Sequence, residues 1–351
     1  MLFNKHNLTT NSRIRAQWDH LWAQRNMFNG QDGALIAANM ANMTADILAC
    51  NAVGGFDQEF WKAIDNQIIE MSTEETGIEI VNDLMAVQTV LPIGKTEKMY
   101  SVSGDINDEV VVSIDGQAPH GFDHTEYGSD GDPIPMFAAG YGVNWRHSEG
   151  LKAVGIDLAL DSQRLKLQKF NKARVEYYLN GNAKINVNGK PGQGIKNHRN
   201  TQQLTMTTED LTTDGFDDII KFFTTGAFGV MARNNRVDQY DIMWVSPEIM
   251  ANLAAPHIAN GTVVGTVLNI VKPFIPVKEI RQTYALSGNE FIAYQRRRNV
   301  ITPLVGMTTG VVPLPRFMPT DNYNFKIMSA EGLQITCDML GRSGVVYGKK
   351  S

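Results

Sequence analysis

Residues 149–180, "EGLKAVGIDLALDSQRLKLQKFNKARVEYYLN", contain no proline over about 32 positions. At about 1.5 Å of rise per residue, one helix over this stretch is roughly 48 Å long. Ser148 offers a hydroxyl N-cap and Glu149 a carboxylate at the positive end of the macrodipole. Asn180-Gly181 supplies a left-handed stop. One apolar row holds Leu151, Val154, Leu158 and Leu165, and a second holds Ile156, Leu160, Leu167, Phe170 and Tyr177. Lys152, Arg164, Lys166, Lys169, Lys172 and Arg174 interrupt both rows, so neither is a coiled-coil seam. A helix of this pattern is only partly covered by its own domain. It reads either as a surface helix lying on a sheet or as a brace that neighbouring copies also contact.

The preceding segment has its own bias. From Ser101 to Trp145 there is no lysine or arginine, while Asp105, Asp108, Glu109, Asp115, Asp123, Glu126, Asp130 and Asp132 carry a formal −8. "MYSVSGDI" and "EVVVSID" are strand-like, and "HGFDHTEYGSDGDPIPM" is turn-rich. A connection of about 40 residues is generally functional or extended. It is either a solvated acidic hairpin or an arm that lies on a basic surface of another subunit. Residues 1–30 provide such a surface: Lys5, Arg13, Arg15 and Arg25 against Asp19, a formal +3, with Ile14, Trp18, Leu21 and Trp22 at helical spacing. The tryptophans need a surface to bury against, which another copy of the chain could supply. Charge complementarity makes Lys5, Arg13, Arg15, Trp18, Trp22, Arg25, Asp105, Asp108, Glu109, Asp115, Asp123 and Glu126 the candidate inter-subunit residues.

The remaining chain reads as mixed helix and strand. Asp57 caps a helix with Phe60, Ile64, Ile68 and Met71 on one face. "TGIEIVNDLMAVQTVLPIG" becomes strand-like toward its end, and "NAKINVNGKPGQGIKNHRN" is a loop. Asp214 is expected to cap a helix with Phe216, Ile219, Ile220 and Phe223 inward. "YDIMWVSPEIMANL" reads as a buried strand, then Ser246 as N-cap and Pro247 at the first helical position. "VKEIRQTYA" and "EFIAYQRRR" are expected to form a β-hairpin around "LSGN". "ITPLVGMTTGVVPLPRFMP" reads as an irregular apolar run, and "NYNFKIMSAEGLQITCDMLGRSGVVY" as two strands around Ala330-Glu331-Gly332. The order gives an α+β fold.

Catalytic and ligand motifs fail on spacing. His120 and His124 of "HGFDH" lie in a glycine-containing loop with no third ligand evident. "DINDE" lacks the glycine and distal glutamate of a calcium loop. In "NGKPGQG", Pro191 stands where a phosphate loop needs Ser or Thr. "YQRRR" is the densest basic cluster and reads as a solvated or subunit-pairing strand end. No enzyme, cofactor or metal site is expected. At 351 residues and a formal −5, the chain is large enough for several domains but is not a free-standing basic DNA binder. Cys50 and Cys337 fit small core residues in a reducing compartment. Asn39, Asn42, Thr44, Asp46 and Asn51 exclude 34–53 as a membrane span.

The order of acidic two-stranded arm, "SEGLKAVGIDLALDSQRLKLQKFNKARVEYYLNG", "YDIMWVSPEIMANL" and closing strands "NYNFKIMSAEGLQITCD" resembles the major capsid protein of tailed bacteriophages. That family has the Hong Kong 97-type fold, shared with encapsulin shells. The resemblance implies an N-terminal arm at 1–56, an extended loop (the E-loop) at 99–140, and a spine helix at about 149–181. It implies a peripheral domain at 57–98, 141–212 and 320–351 and an axial domain at 213–319. It further implies self-assembly into pentamers and hexamers that close an icosahedral head around double-stranded DNA, held without sequence readout. Arg13, Arg15, Arg25 or the basic side of the spine helix would face the DNA. Scaffolding, portal and cement or decoration proteins would be further partners, no membrane would be involved, and the place of the chain would be the virion, assembled in the host cytoplasm. Two departures matter. The chain starts almost directly in arm-like sequence, so either a separate scaffolding protein exists or the sequence is already processed, and Met1 favours the first. The E-loop has no lysine, so isopeptide crosslinking through it is not expected. The alternatives are an encapsulin-like nanocompartment, another phage structural protein such as a tail component, and an α+β enzyme whose site is assembled from distant residues.

Overall fold

The computed structural model describes residues 3, 5–40, 58–71, 76–103, 127–147, 158–259, 262–316, 321–338 and 340–350. Two sheets organise it. The first has five strands in the order β11 (Val277–Gln282), β8 (Tyr240–Val245), β12 (Phe291–Tyr294), β15 (Val345–Lys350) and β7 (Gln202–Met206). Both of its faces are covered, so its central strands are apolar on both sides. Tyr240, Met243, Val245, Phe291, Ala293 and Val346 face a core with Phe222, Phe223 and Phe228 of α6 (Phe216–Thr224) and α7 (Ala227–Asn234). Ile242, Trp244, Ile292, Tyr294, Val345 and Tyr347 face a second core with α4 (Ile78–Leu84) and the end of α5 (Leu158–Asn180).

The other sheet runs β1 (Thr89–Val90), β13 (Ile301–Pro313), β14 (Tyr323–Ile335) and β4 (Met136–Val143). Ile301, Leu333 and Ile335 join the core under α4, which ties the two sheets together. Phe325, Ile327, Tyr141 and Val143 pack with Leu167 and Phe170 of α5, Trp61 and Ile64 of α3 (Gln58–Met71), and Phe28 of α2 (Ser12–Met40). The long helix therefore touches both sheets. Its described part starts at Leu158, and Ser148 and Glu149 lie outside the described residues. It ends as expected: Gly181 has φ 67°, and a Cβ there would sit 2.5 Å from the Gly192 carbonyl oxygen.

Local signals are reproduced where they are strong. Ser246 caps α8 (Pro247–Leu253), its side chain accepting from Ile249 N at 3.2 Å. Other expectations change. Asp214 is not the cap of α6: Gly215 is, and Asp214 Oδ2 accepts from Asp210 N at 2.8 Å. The segments at 277–282 and 291–294 do not pair with each other. They flank β8, β11 in parallel with Val277 opposite Tyr240, β12 antiparallel with Phe291 opposite Val245. A strand as buried as β8 needs partners on both edges to satisfy its backbone. Residues 301–313, read as irregular, form one long strand, with Pro303 near its start and Pro313 at its end, where a missing N–H is tolerated. Residues 323–335 likewise form one strand through Ala330-Glu331-Gly332. The turn-rich 127–133 is β3, and the segment that becomes strand-like toward its end starts as a helix at 78–84. β13, in the span assigned above to the axial domain, pairs with β14, while β15, assigned to the peripheral domain, lies between β12 and β7.

Candidate functional site

The root of the acidic arm is built from β2 (Glu97–Ser103) and β3 (Tyr127–Pro133), antiparallel with Tyr100 opposite Asp130 and Lys98 opposite Asp132. The chain leaving α5 clamps this root. β5 (Asn182–Val187) turns through Asn188-Gly189, φ 51° and 80°, into β6 (Lys190–Gly192), a two-residue hairpin turn with both residues left-handed. Asp130 accepts from Lys190 Nζ at 2.6 Å, Arg199 Nε at 2.8 Å, Tyr100 OH at 2.9 Å and Gly131 N at 2.8 Å. Asp132 is buried against Arg199 at 2.9 Å and His198 Nε2 at 3.1 Å, and its Oδ2 has no hydrogen-bond partner among the described residues. His198 Nδ1 accepts from Asn200 N at 3.1 Å, so the ring proton of the neutral imidazole sits on Nε2 and is donated to Asp132. Asn200 Nδ2 bonds the Ile335 carbonyl at 2.7 Å, fastening the cluster to β14.

Desolvation opposes the charge on Asp130, but the four donors outweigh it and hold its carboxyl well below the usual aspartate range. The folded pKa is thus lower than the unfolded one. The stabilisation is complete above about pH 4 and is lost as pH falls from there toward the folded value. Acid should therefore loosen the arm's root, and Asp130→Asn should flatten that part of the stability profile. Thermal unfolding of both proteins between about pH 2 and pH 5 checks this, and parallel profiles would refute it.

The N-terminal helices meet the other end of the sheet. β1 pairs with β13 at Leu304 and Val305, and among the described residues no strand continues that edge. α2 runs along it. Gln17 Nε2 donates to the Gly306 carbonyl at 2.9 Å, and Gln17 Oε1 accepts from Thr308 N at 3.1 Å. One amide side chain thus takes the place of a neighbouring strand, at a position where β13 shifts register against β14. Ile14 is buried with Val305, and Trp18 packs edge-on to Trp22 at 5.7 Å. Arg25 is fully buried, its guanidinium 5.2 Å from the Trp22 ring and 4.7 Å from the Trp61 ring. It pairs with Asp65 through two bonds, 2.8 Å and 2.7 Å.

These placements sort the candidate inter-subunit residues. Arg25 is buried in its own chain, while Trp18 and Trp22 are half-buried, in ring contact with each other and with Phe3 and Arg25 of the same chain. Arg13 is exposed and donates to the Val90 carbonyl at 2.8 Å, Arg15 is exposed, and Lys5 opens α1 (Lys5–Thr10). Asp105, Asp108, Glu109, Asp115, Asp123 and Glu126 lie outside the described residues, as do His120, His124 and Cys50. On α5, Arg164, Lys169 and Lys172 face outward, whereas Arg174 points inward. Arg174 grips the buried Glu331 of β14, Nη2 to both carboxylate oxygens at 2.8 Å. Desolvation raises the Glu331 pKa, but the positive charge around it, that of Arg174 first, outweighs burial and holds the carboxyl below its ordinary range. Neither Glu331 nor His198, Arg199 and Gln17 carried a sequence signal of its own. The only trace was "KNHRN", a basic run downstream of a stretch rich in acid.

Among the described residues no helix is long and apolar enough to cross a membrane. No curated protein matches this sequence. Solved structures do. A virus-like particle from Pyrococcus furiosus is 13% identical with a TM-score of 0.52, over 83% of this chain and 100% of that one. The capsid of Myoviridae phage XM1 is 12% identical with a TM-score of 0.56, over 80% and 94%. The capsid of a native GTA particle is 14% identical with a TM-score of 0.51, over 77% and 90%. At these identities the likeness is one of fold, and the fold is the Hong Kong 97 type, α+β, as the element order implied. By sequence, with residues 51–348 matching, the chain belongs to DUF6260, a family of unknown function.

Proposed function

We propose that this chain is a major capsid protein, the shell subunit of a phage-like particle, which assembles through pentamers and hexamers into an icosahedral head around double-stranded DNA. The observation that carries the reading is extent: four-fifths of the chain follows a capsid subunit, and nearly all of that subunit is accounted for. The architecture is suited to the task. A long helix braces two sheets, and buried charges anchor the root of an arm that carries six further acids and no lysine. The chain has a structural and not a catalytic role on this reading, its place is the virion, and scaffolding, portal and decoration proteins are its expected partners. Exposed Arg164, Lys169 and Lys172 of α5 are the candidates for loose phosphate contact.

Negative-stain electron microscopy of the purified chain, with a scaffolding partner added if needed, tests the reading. Hollow shells or rings are expected, and a well-behaved monomer or dimer under all conditions would overturn it. The particle of Pyrococcus furiosus, covered along its whole length, favours a second reading as a protein nanocompartment. Protein cargo instead of DNA inside native particles would select it. The acidic arm is proposed to meet the exposed arginines of α2 in a neighbouring copy. Asp105→Lys and Arg15→Glu should each reduce assembly, and the two together should restore it. Persistent failure of the double variant would refute that pairing.

A further inference from the structure

One face of β13 and β14 is closed by α5 and the other is not. Val311 and Ile327 enter the core under α5, so Val312 and Met328, one place further along, point the opposite way. There they meet α2 across a cavity of 590 Å³. The helix is pinned at both ends. Ile14 is buried with Val305, and Arg25 Nη2 reaches the Val311 carbonyl at 3.5 Å. Between them Gly310 has no side chain, and a Cβ there would lie 3.3 Å from Leu21. Ile93 is 57% exposed, about as much as Ile258 and Val263 of β9 (Pro256–Ala259) and β10 (Thr262–Thr266), but of these three it alone lines this cavity.

The walls divide by chemistry. Leu21, Leu91, Ile93, Met307, Val312 and Met328 are apolar, and the two methionines can adapt to an occupant's shape. Arg13, Gln17, His20 and Gln24 follow one another at four, three and four residues, so they form one polar stripe of α2. Among the described residues no Asp or Glu lines the cavity. Arg13 Nη1 donates to the Val90 carbonyl at 2.8 Å, which fixes the guanidinium and leaves its other N–H groups for an anion. The cavity therefore suits an apolar body with a negative head. A peptide fits less well, because extended peptides are held by the main-chain groups of an open strand edge. Here that edge is used: β1 pairs with Leu304 and Val305, Leu91 N bonds the Val305 carbonyl at 2.8 Å, and Gln17 takes Gly306 and Thr308. An alkyl chain has no main chain to satisfy, and the volume lies within the range of about 300–1,000 Å³ usual for small-molecule sites.

We propose that the cavity between α2 and the β13–β14 face binds a free medium-chain fatty acid, its alkyl chain against the apolar wall and its carboxylate on Arg13. The site belongs to a single chain, so it does not rest on the shell reading, and a chain that never assembles should bind as well. Calorimetric titration of the full chain with octanoate, decanoate and dodecanoate, each below its micelle concentration, tests it. One site per chain is expected, tightening about four-fold for each added CH₂. Decylamine should bind far more weakly than decanoate. Arg13→Gln should weaken decanoate about ten-fold and leave decanol unchanged. Val312→Trp and Ile93→Trp should each fill the cavity and remove saturable binding. Ile93 is exposed, so Ile93→Trp should keep the parent's melting temperature whatever happens to Val312→Trp. The proposal is overturned by absence of saturable binding to the parent, by equal affinity for decanoate and decylamine, by parent-level affinity in Arg13→Gln, or by undiminished binding in every folded tryptophan variant. Saturation by the peptide of residues 109–115, EVVVSID, with none by decanoate, also overturns it and gives the cavity to the acidic arm.

Discussion

Arg174→Met should destabilise the protein by about 3–5 kcal/mol, because it removes the guanidinium that bonds both oxygens of the buried Glu331 carboxylate. The side chain of Glu331 has no solvent exposure and that of Arg174 has 3%, so water cannot take over the lost bonds. Tyr178 OH, 3.4 Å away, is too weak a partner to compensate. Arg174→Met combined with Glu331→Leu should recover most of the loss, since replacing a buried pair by apolar groups is often neutral. Urea unfolding of the three proteins reads both effects, and their difference is the coupling energy of the pair. A single variant that lost less than about 1 kcal/mol would mean that the two elements are held by packing alone. This pair joins the long helix to β14, so its loss should also loosen the helix on its sheet.

Arg25→Ala should release the N-terminal helix, with a loss of about 2–3 kcal/mol. The guanidinium lies over two indole rings, 5.2 Å from that of Trp22 and 4.7 Å from that of Trp61, and also grips Asp65, which is 17% exposed and so keeps some access to water. The change removes the planar filler, two charge-assisted bonds and the contacts to both rings. Arg25→Lys should recover less than half, because an ammonium lacks the planar fork that bonds both carboxylate oxygens of Asp65 beside the two rings. Tryptophan fluorescence should shift to the red, and proteolysis within the first 40 residues should accelerate while the rest of the chain stays resistant. Uniform resistance in Arg25→Ala would show that Ile14, Gln17 and Leu21 hold the arm unaided.

Some of this arrangement is legible before folding. The long helix ends where Asn180-Gly181 says, and Ser246-Pro247 starts α8, because caps and proline act within a few residues of themselves. The apolar stripe Ile14, Trp18, Leu21 and Trp22 is a helix for the same reason: its period is written in the chain. The overall order of arm, acidic loop, long helix and closing strands was enough to point to the fold, since length and order survive when identity does not.

Pairing is another matter. The 277–282 and 291–294 segments look like a hairpin because they are close in sequence, yet β8 lies between them and takes a bond ladder from each. Residues 301–313 carry two prolines and two glycines and look irregular, but β14 supplies a partner along nearly the whole length and Gln17 supplies the missing edge. Arg25 looks like one basic residue among four until Trp22, Trp61 and Asp65 surround it. Arg174 looks like one more charge on a solvated face until Glu331, 157 positions away, meets it. Local hydrogen bonding and periodicity are short-range properties, so the sequence by itself determined the helix ends at Asn180-Gly181 and Ser246-Pro247 and the helical stripe from Ile14 to Trp22. Which strand fills an edge and which charge is buried depend on groups brought together from far along the chain, and only the tertiary structure decided those.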